Sequence, residues 1–528
     1  MPAGFDAIVV GGGHNGLVAA GYLARAGMRV RLLERLEHVG GAAVSAQLFD
    51  GVAARLSRYA YLVSLLPQSI LDDLGAQVRL ARRRYSSYTP DPGTAGRTGL
   101  LIGPKSAARP QAFASIGADD DQRPVADFYR RCRAVTGPLW PTLLEPLPTR
   151  SQARRRVVDG RGPGAAAAWR AMIDEPIGHA IADAVRNDLV RGVIATDALI
   201  GTFACLDDPA LAQNVCFLYH LLGHGTGEWH VPVGGMGSVT AALATTAAGH
   251  GAEIVTGAEV HAIDPGGEVV YRHRGDDHAV RGRLVLAGVT PAVLASLLGE
   301  PAPSSAPGAQ VKVNMLVRRL PRLRDDSVTP EQAFSGTMHI NETYTQLEAA
   351  YFAAAGGRLP EPLPCEIYCH TLTDPSILSA DLRDSGAHTL TLFGLHTPHS
   401  LSSAAEPDEL RAQLTDSALR SLNSVLAEPI GDLLLHDGSG GQCIETKTTV
   451  DLERTLMMTG GNIFHGGLSW PFAEDGEIMA TPAQRWGVAT AHERILFCGS
   501  GARRGGAVSG IGGHNAAMAA MAVLESTD

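Results

Sequence analysis

Residues Phe5 to Arg35, FDAIVVGGGHNGLVAAGYLARAGMRVRLLER, constrain the fold more than any other part of the chain. Phe5 to Val10 is a short β-rich apolar run. Gly11-Gly12-Gly13-His14-Asn15-Gly16 supplies G-x-G-x-x-G, and Leu17 to Ala26 has helical spacing. A second apolar run, Met28 to Leu33, ends at Glu34, eighteen residues after Gly16. In such a strand–turn–helix–strand unit the glycines have separate tasks. Gly11 allows the tight turn, Gly13 lets a diphosphate approach the backbone, and Gly16 lets helix and strand pack closely. The helix N-terminus presents unpaired N–H groups and a positive dipole end to the phosphates. Glu34 at the tip of the second strand suits ribose hydroxyls and would repel a 2′-phosphate. The segment predicts dinucleotide binding.

Which dinucleotide depends on what else the chain offers. Glu34-Arg35 is followed by Val39-Gly40-Gly41-Ala42-Ala43, a glycine pair that extends the phosphate-binding surface beyond what NAD needs. The C-terminal region repeats the arrangement. Ile495 to Cys498 reads as a strand and Gly499-Ser500-Gly501 as a turn. Gly505 to Gly513, through Val508, Ser509, Gly510 and Ile511, opens a helix running to Leu524. Two separated helix N-termini suit FAD, one at the diphosphate and one near the electron-rich N1/O2 edge of the flavin. An NAD(P) dehydrogenase without flavin leaves both extra glycine motifs unexplained.

The chain has 528 residues, of which 45% are hydrophobic and 19% charged, enough to bury large cores in two to four domains. A formal charge of −10 argues against a nucleic-acid partner. No window of eighteen uninterrupted apolar residues marks a membrane span, and the first strand begins too early for a leader peptide, so a cytoplasmic protein is expected. Contact with a membrane surface stays open. The seven cysteines are scattered and form no C-x-x-C. Cys365 and Cys369 flank Ile367 in CEIYC, where period two places all three on one buried face. No H-E-x-x-H motif or His/carboxylate cluster marks a metal site.

The segments DAIVVGGGHNGLVAAGYLARAG, ERLEHVGGAAVS, HVPVGGMGSVTAALA, GGNIFHGGLSW and LFCGSGARRGGAVSGIGGHNAA resemble the phytoene desaturase-like carotenoid/retinoid oxidoreductases. The branch they resemble is that of the pyridine nucleotide-disulfide oxidoreductase domain-containing 2 proteins, within the flavin amine oxidase superfamily. The resemblance spans nearly the whole chain. It implies an α/β fold, with a split Rossmann-type, amine-oxidase-like FAD domain and an inserted mixed α+β substrate domain. On that division residues 1–75, 225–300 and 441–528 form the FAD domain, and residues 76–224 and 301–440 the substrate domain. Residues Tyr85 to Arg161 read as surface loops with short helices, and 165–222 as a largely helical wall. The resemblance further implies that the Val260 backbone meets the adenine. Two departures limit it: Ala42 stands where many amine oxidases have arginine, and neither an aromatic cage nor a cysteinyl flavin link has a recognisable counterpart. Non-covalent FAD is therefore expected.

Two residues are expected to carry chemistry. Lys312, in VKVNMLV, resembles the lysine that holds a water against flavin N5, the alternative being an outward lysine on an alternating strand. His465, on the glycine-flanked loop GGNIFHGG, could serve as a base, steer substrate, or bond backbone. His14 and Asn15 could bond the flavin chain or only cap the helix. His514 and Asn515 could pack or touch the flavin. The expected function is hydride removal from a C–H bond of a partly apolar small molecule, as desaturation or amine oxidation, with O₂ or a quinone reoxidising the flavin. The alternative is a lipid- or prenyl-binding escort on the same fold. Oligomeric state is not readable.

Overall fold

The computed structural model describes residues 4–103, 112–225, 227–403 and 405–525. Its first sheet begins with the strand Phe5–Val10, buried on both faces along most of its length. The unbroken apolar stretch from Ala7 to Val10 suits the centre of a parallel layer. Phe5–Val10 pairs in parallel with Val30–Leu33 on one side and with residues 282–287 on the other. Glu253–Val255 and Ile495–Phe497 extend the layer at its two ends. The strand Asp276–Ala287 serves two purposes. Its first half closes an antiparallel meander with Ala258–Ile263 and Glu268–His273, and its second half enters the parallel layer.

The helices His14–Arg25, Met236–Gly249 and Ile511–Glu525 share a core with this layer, in which Leu17, Leu23, Leu243, Ala516 and Ala520 are fully or almost fully buried. The C-terminal helix packs against the first helix at backbone distance. A Cβ on Gly513 would lie 2.0 Å from the Asn15 carbonyl oxygen, and one on Gly512 2.6 Å from that of Gly499. These glycines therefore bring the N-termini of the two helices side by side.

A second seven-stranded sheet has the order 444–447, 311–317, 388–394, 365–368, 337–340, 87–90, 99–102. The pairing of 337–340 with 87–90 is parallel and the rest is antiparallel. Cys365, Ile367 and Cys369 lie in its core, and all seven cysteines are free thiols. A helical layer spanning residues 122–222 has its own core around Phe128, Leu139, Trp169, Ile181 and Phe217.

Two expectations need correction. Residues 85–161 are not chiefly surface loops. They contribute two strands of the second sheet and the eighteen-residue helix Gln122–Leu139, whose Phe128, Cys132, Val135 and Leu139 form a narrow buried stripe. The division at 441 is also displaced, because Ile444–Lys447 pairs with residues 312–315 and so belongs to the second sheet. Among the described residues no helix is long and apolar enough to cross a membrane.

Candidate active site

A cavity of about 790 Å³ is lined from both sheets and from the helical layer. At one end stands the glycine turn. Gly11 adopts φ +101°, and a Cβ on Gly16 would lie 2.1 Å from the Gly11 carbonyl oxygen, so neither position accepts a side chain without rearrangement. Gly13 differs: a Cβ there would meet nothing within 4 Å and would project into open space. Gly13 is also the N-cap of the first helix and offers no side-chain cap, whereas the helices starting at Arg150, Pro330, Tyr344 and Thr449 carry threonine capping boxes. The first-turn N–H groups are left for a ligand.

Glu34 is held rigidly beside this turn. One carboxylate oxygen accepts from the Gly12 N–H at 2.7 Å and the other from the Leu36 N–H at 2.8 Å. Arg35 donates to the Thr455 carbonyl and lines the cavity, as do Val260, Gly41 and Ala42. Gly40 donates its N–H to the Gly12 carbonyl and, at φ +124°, sets up the approach of Gly41 to Gly13. It shapes the wall without being part of it.

His14, Asn15, Gly499, Ser500, Val508 and His465 line the middle of the cavity. His14 Nε2, Asn15 Oδ1 and His465 Nδ1 are buried without a hydrogen-bond partner. Native proteins rarely leave such atoms unsatisfied, and here all three belong to residues on one void. Burial lowers His14 and His465 to about 4, and the neighbouring His465 adds to the effect on His14, so both imidazoles are neutral near pH 7. Asn15 also donates to the Ser500 hydroxyl at 3.4 Å, linking the two glycine motifs.

Ser509, Gly510 and Ile511 do not line the cavity. Gly510 sits at φ +72°, where a Cβ would meet Val18, Leu66 and Ile70 in the core. Ser509 is wholly buried and accepts from the Ile511 N–H, and Ile511 is packed among core side chains. These small residues fix the helix start instead of facing a ligand. His514 likewise packs, edge to face, against Tyr22 and Trp486.

Lys312 lies on a strand buried on both faces. Val311, Val313 and Met315 belong to the core of the second sheet, whereas Lys312 lines the cavity. Its ammonium donates to the carbonyls of Ser57 and Tyr59, both at 2.7 Å, and lies 4.9 Å from the centre of the Tyr61 ring. Burial holds its pKa well below the usual lysine value, opposed by the Glu445 carboxylate. Tyr61 stacks on Tyr368 and leans against Phe393, so an aromatic group adjoins the lysine although no aromatic cage is readable in the sequence. The three rings come from separate parts of the chain and share no spacing.

Around Arg83, His339 and Glu366 the cavity forms a chamber whose polar residues the sequence does not advertise. Arg83 donates to the Thr337 hydroxyl at 2.6 Å and to the Trp229 carbonyl. Glu366 accepts from the Tyr61 hydroxyl at 2.8 Å, and His339 pairs with Glu342 at 2.8 Å. Asp197, Tyr129, Ile200, His220 and Phe393 complete the wall. Burial, reinforced by Glu342, raises the Glu366 carboxyl. Among the described residues no group of three His, Cys, Asp or Glu is placed to hold a metal ion.

The fold joins a Rossmann-like layer carrying the glycine cradle to a second sheet and a helical layer, an architecture like that of solved amine oxidases. Residues 9–69 match the NAD(P)-binding Rossmann-like domain. A putrescine oxidase solved with putrescine bound is 17% identical, with 99% of each chain covered and a TM-score of 0.60. An uncharacterized protein of Mycobacterium tuberculosis is 71% identical over 525 residues, which are 99% of this chain and 98% of the relative. The mouse pyridine nucleotide-disulfide oxidoreductase domain-containing protein 2 is 30% identical over 97% of this chain and 92% of its own length. The chain belongs to the family of that protein.

Proposed function

We propose that the protein is an FAD-dependent oxidoreductase that removes hydride from a C–H bond of a partly hydrophobic small molecule, by desaturation or amine oxidation. The observation that carries this reading is the convergence on one cavity of a side-chain-free space at Gly13, three unpartnered polar atoms and a buried lysine. The residues fit FAD. Gly11, Gly13 and Gly16 would hold its diphosphate and Glu34 its ribose, Val260 would lie against the adenine, and His14 and Asn15 would meet the remaining polar atoms. Bound there without a covalent link, FAD would supply a two-electron acceptor, with O₂ or a quinone as the terminal oxidant.

The protein's own groups divide the remaining work. The aromatic and apolar wall keeps water from the reacting carbon. Lys312 is fixed by two carbonyls and would position a water or O₂ at the cavity wall. His465, neutral near pH 7 because burial lowers its pKa, would offer the substrate a hydrogen-bond or proton acceptor.

The visible absorption spectrum of purified protein tests the reading. Bands near about 375 and 450 nm, from oxidised flavin, are expected and should be released by denaturation without proteolysis. Protein that stays colourless after incubation with FAD and desalting would refute it.

A further inference from the structure

The charged groups of the chamber are unevenly satisfied. Arg83, Glu366 and His339 each have a hydrogen-bond partner inside the protein. Asp197, in the turn that follows the helix Asp188–Ala195, lines the same cavity, and its carboxylate accepts no hydrogen bond from any described residue. Tyr129, Val193, Ile200 and Phe393 line the same cavity, and the charges that act on Asp197 are those of His339, Glu366, Glu342 and Arg83. An ionised carboxylate in such surroundings is costly unless something supplies a countercharge. Arg83 and His339 act on Asp197 through space, but neither donates a hydrogen bond to it: Arg83 donates to the neutral Thr337 hydroxyl and Trp229 carbonyl, and His339 pairs with Glu342.

We propose that Asp197 anchors a positively charged group, such as an ammonium, at one end of a substrate whose remainder is apolar. A second acid, Glu366, shares the chamber and favours the same sign of ligand. An anionic head group would meet the charges of Asp197 and Glu366, while Arg83 and His339 already hold hydrogen-bond partners; Arg133, which also lines the cavity, sits exposed on the helix Gln122–Leu139. This inference deepens the function proposed above by naming a substrate class, but the binding it requires depends on Asp197 and not on a flavin.

The electrostatics give a signature. Burial pushes the Asp197 carboxyl up to about 7; His339 and Arg83 oppose the shift, and Glu366 and Glu342 reinforce it. Tyr129 and Cys132 on the helix Gln122–Leu139 and Cys216 on Ala212–Leu222 also face it, and burial keeps all three protonated through the neutral range. The ionised fraction of Asp197 grows as pH rises through 7. His339, whose pKa is raised above its ordinary value, loses positive charge in the same direction. Cation affinity should therefore increase from pH 6 to pH 8, with proton release on binding near pH 7.

Anaerobic calorimetric titration of the FAD-loaded protein with n-hexylamine and n-hexanol isolates the head group, because the two share a carbon chain. Hexylamine should bind at least about tenfold tighter than hexanol at pH 8, with the ratio falling toward pH 6, as expected when one charge-assisted contact depends on an ionised partner. Asp197→Asn should abolish the preference and leave hexanol affinity unchanged. Equal affinities at pH 8, no hexylamine binding at millimolar concentration, or a preference that survives Asp197→Asn would each overturn the proposal. Should the variant not fold, the wild-type pH series decides, and a ratio flat from pH 6 to 8 rejects it. Protein that purifies without flavin can be titrated in the same way, which separates failure of this inference from failure of the cofactor reading.

Discussion

The two ends of the cavity are built on opposite terms. At the glycine end the groups that face the void are chiefly backbone, and the nearby side chains His14, Asn15 and His465 leave polar atoms unpaired. At the chamber end most polar side chains are paired with one another, through Tyr61–Glu366, Arg83–Thr337 and His339–Glu342. On the function proposed above a ligand would complete the first end, whereas the second is held mainly by its own side-chain pairs. Unpaired buried groups cost free energy until the ligand arrives, so ligand should stabilise the protein mainly through the glycine end.

That contrast can be broken most severely at Gly13. Gly13→Val places its Cβ in open space, with no protein atom within 4 Å, so the fold should persist while bound flavin is lost altogether. Circular dichroism and flavin content of the purified variant test this, and normal flavin content would remove the diphosphate from this turn. Next in size is Lys312→Met. If the lysine positions O₂ or water, flavin content should stay normal while reoxidation in stopped flow slows by about a hundredfold or more, the usual cost of one preorganised contact. An unchanged rate would leave Lys312 as a clasp for the loop at Ser57 and Tyr59.

A smaller effect is expected from Glu34→Ala. It deprives the Gly12 and Leu36 N–H groups of their acceptor, each charge-assisted bond being worth roughly 1.5–3 kcal/mol, and weakens FAD retention by about tenfold or more. Equilibrium dialysis against FAD measures it. The mildest test is pH. His14 and His465 are neutral when buried and titrate near 4, below their unfolded value of about 6.5. The unfolded chain therefore binds more protons between those values, and stability is full above pH 6.5 and declines as pH falls toward 4. Tm should drop by several degrees over that window, and replacing both residues with glutamine should flatten the slope.

The same contrast explains what could be read in advance. The strand Phe5–Val10, the turn and Glu34 were legible because adjacent residues must satisfy one geometry, and the structure places Phe5–Val10 as a strand with Glu34 bonded to the turn. Arg83, Asp197, His339 and Glu366 belong to distant segments, and only the folding of the second sheet against the helical layer assembles them. The helix Gln122–Leu139 was obscured by its arginines and prolines, although Phe128, Cys132, Val135 and Leu139 carry a helical period. Ser509, Gly510 and Ile511 show a different limit. A glycine-rich run states that something comes close, and here much of what comes close is protein: the core side chains beside Gly510 and the first helix beside Gly513.

The contact between Asn15 and Ser500 joins residues 485 positions apart. At a synthesis rate of about 5–20 residues per second, the first helix waits roughly 25–100 s before the C-terminal helix that covers it can emerge. During that time Leu17 and Val18 lack part of their final packing. The glycine cradle is thus among the last parts of the molecule that can close. A ligand that binds only the closed cradle would act at that step, by capturing the closed state as it forms.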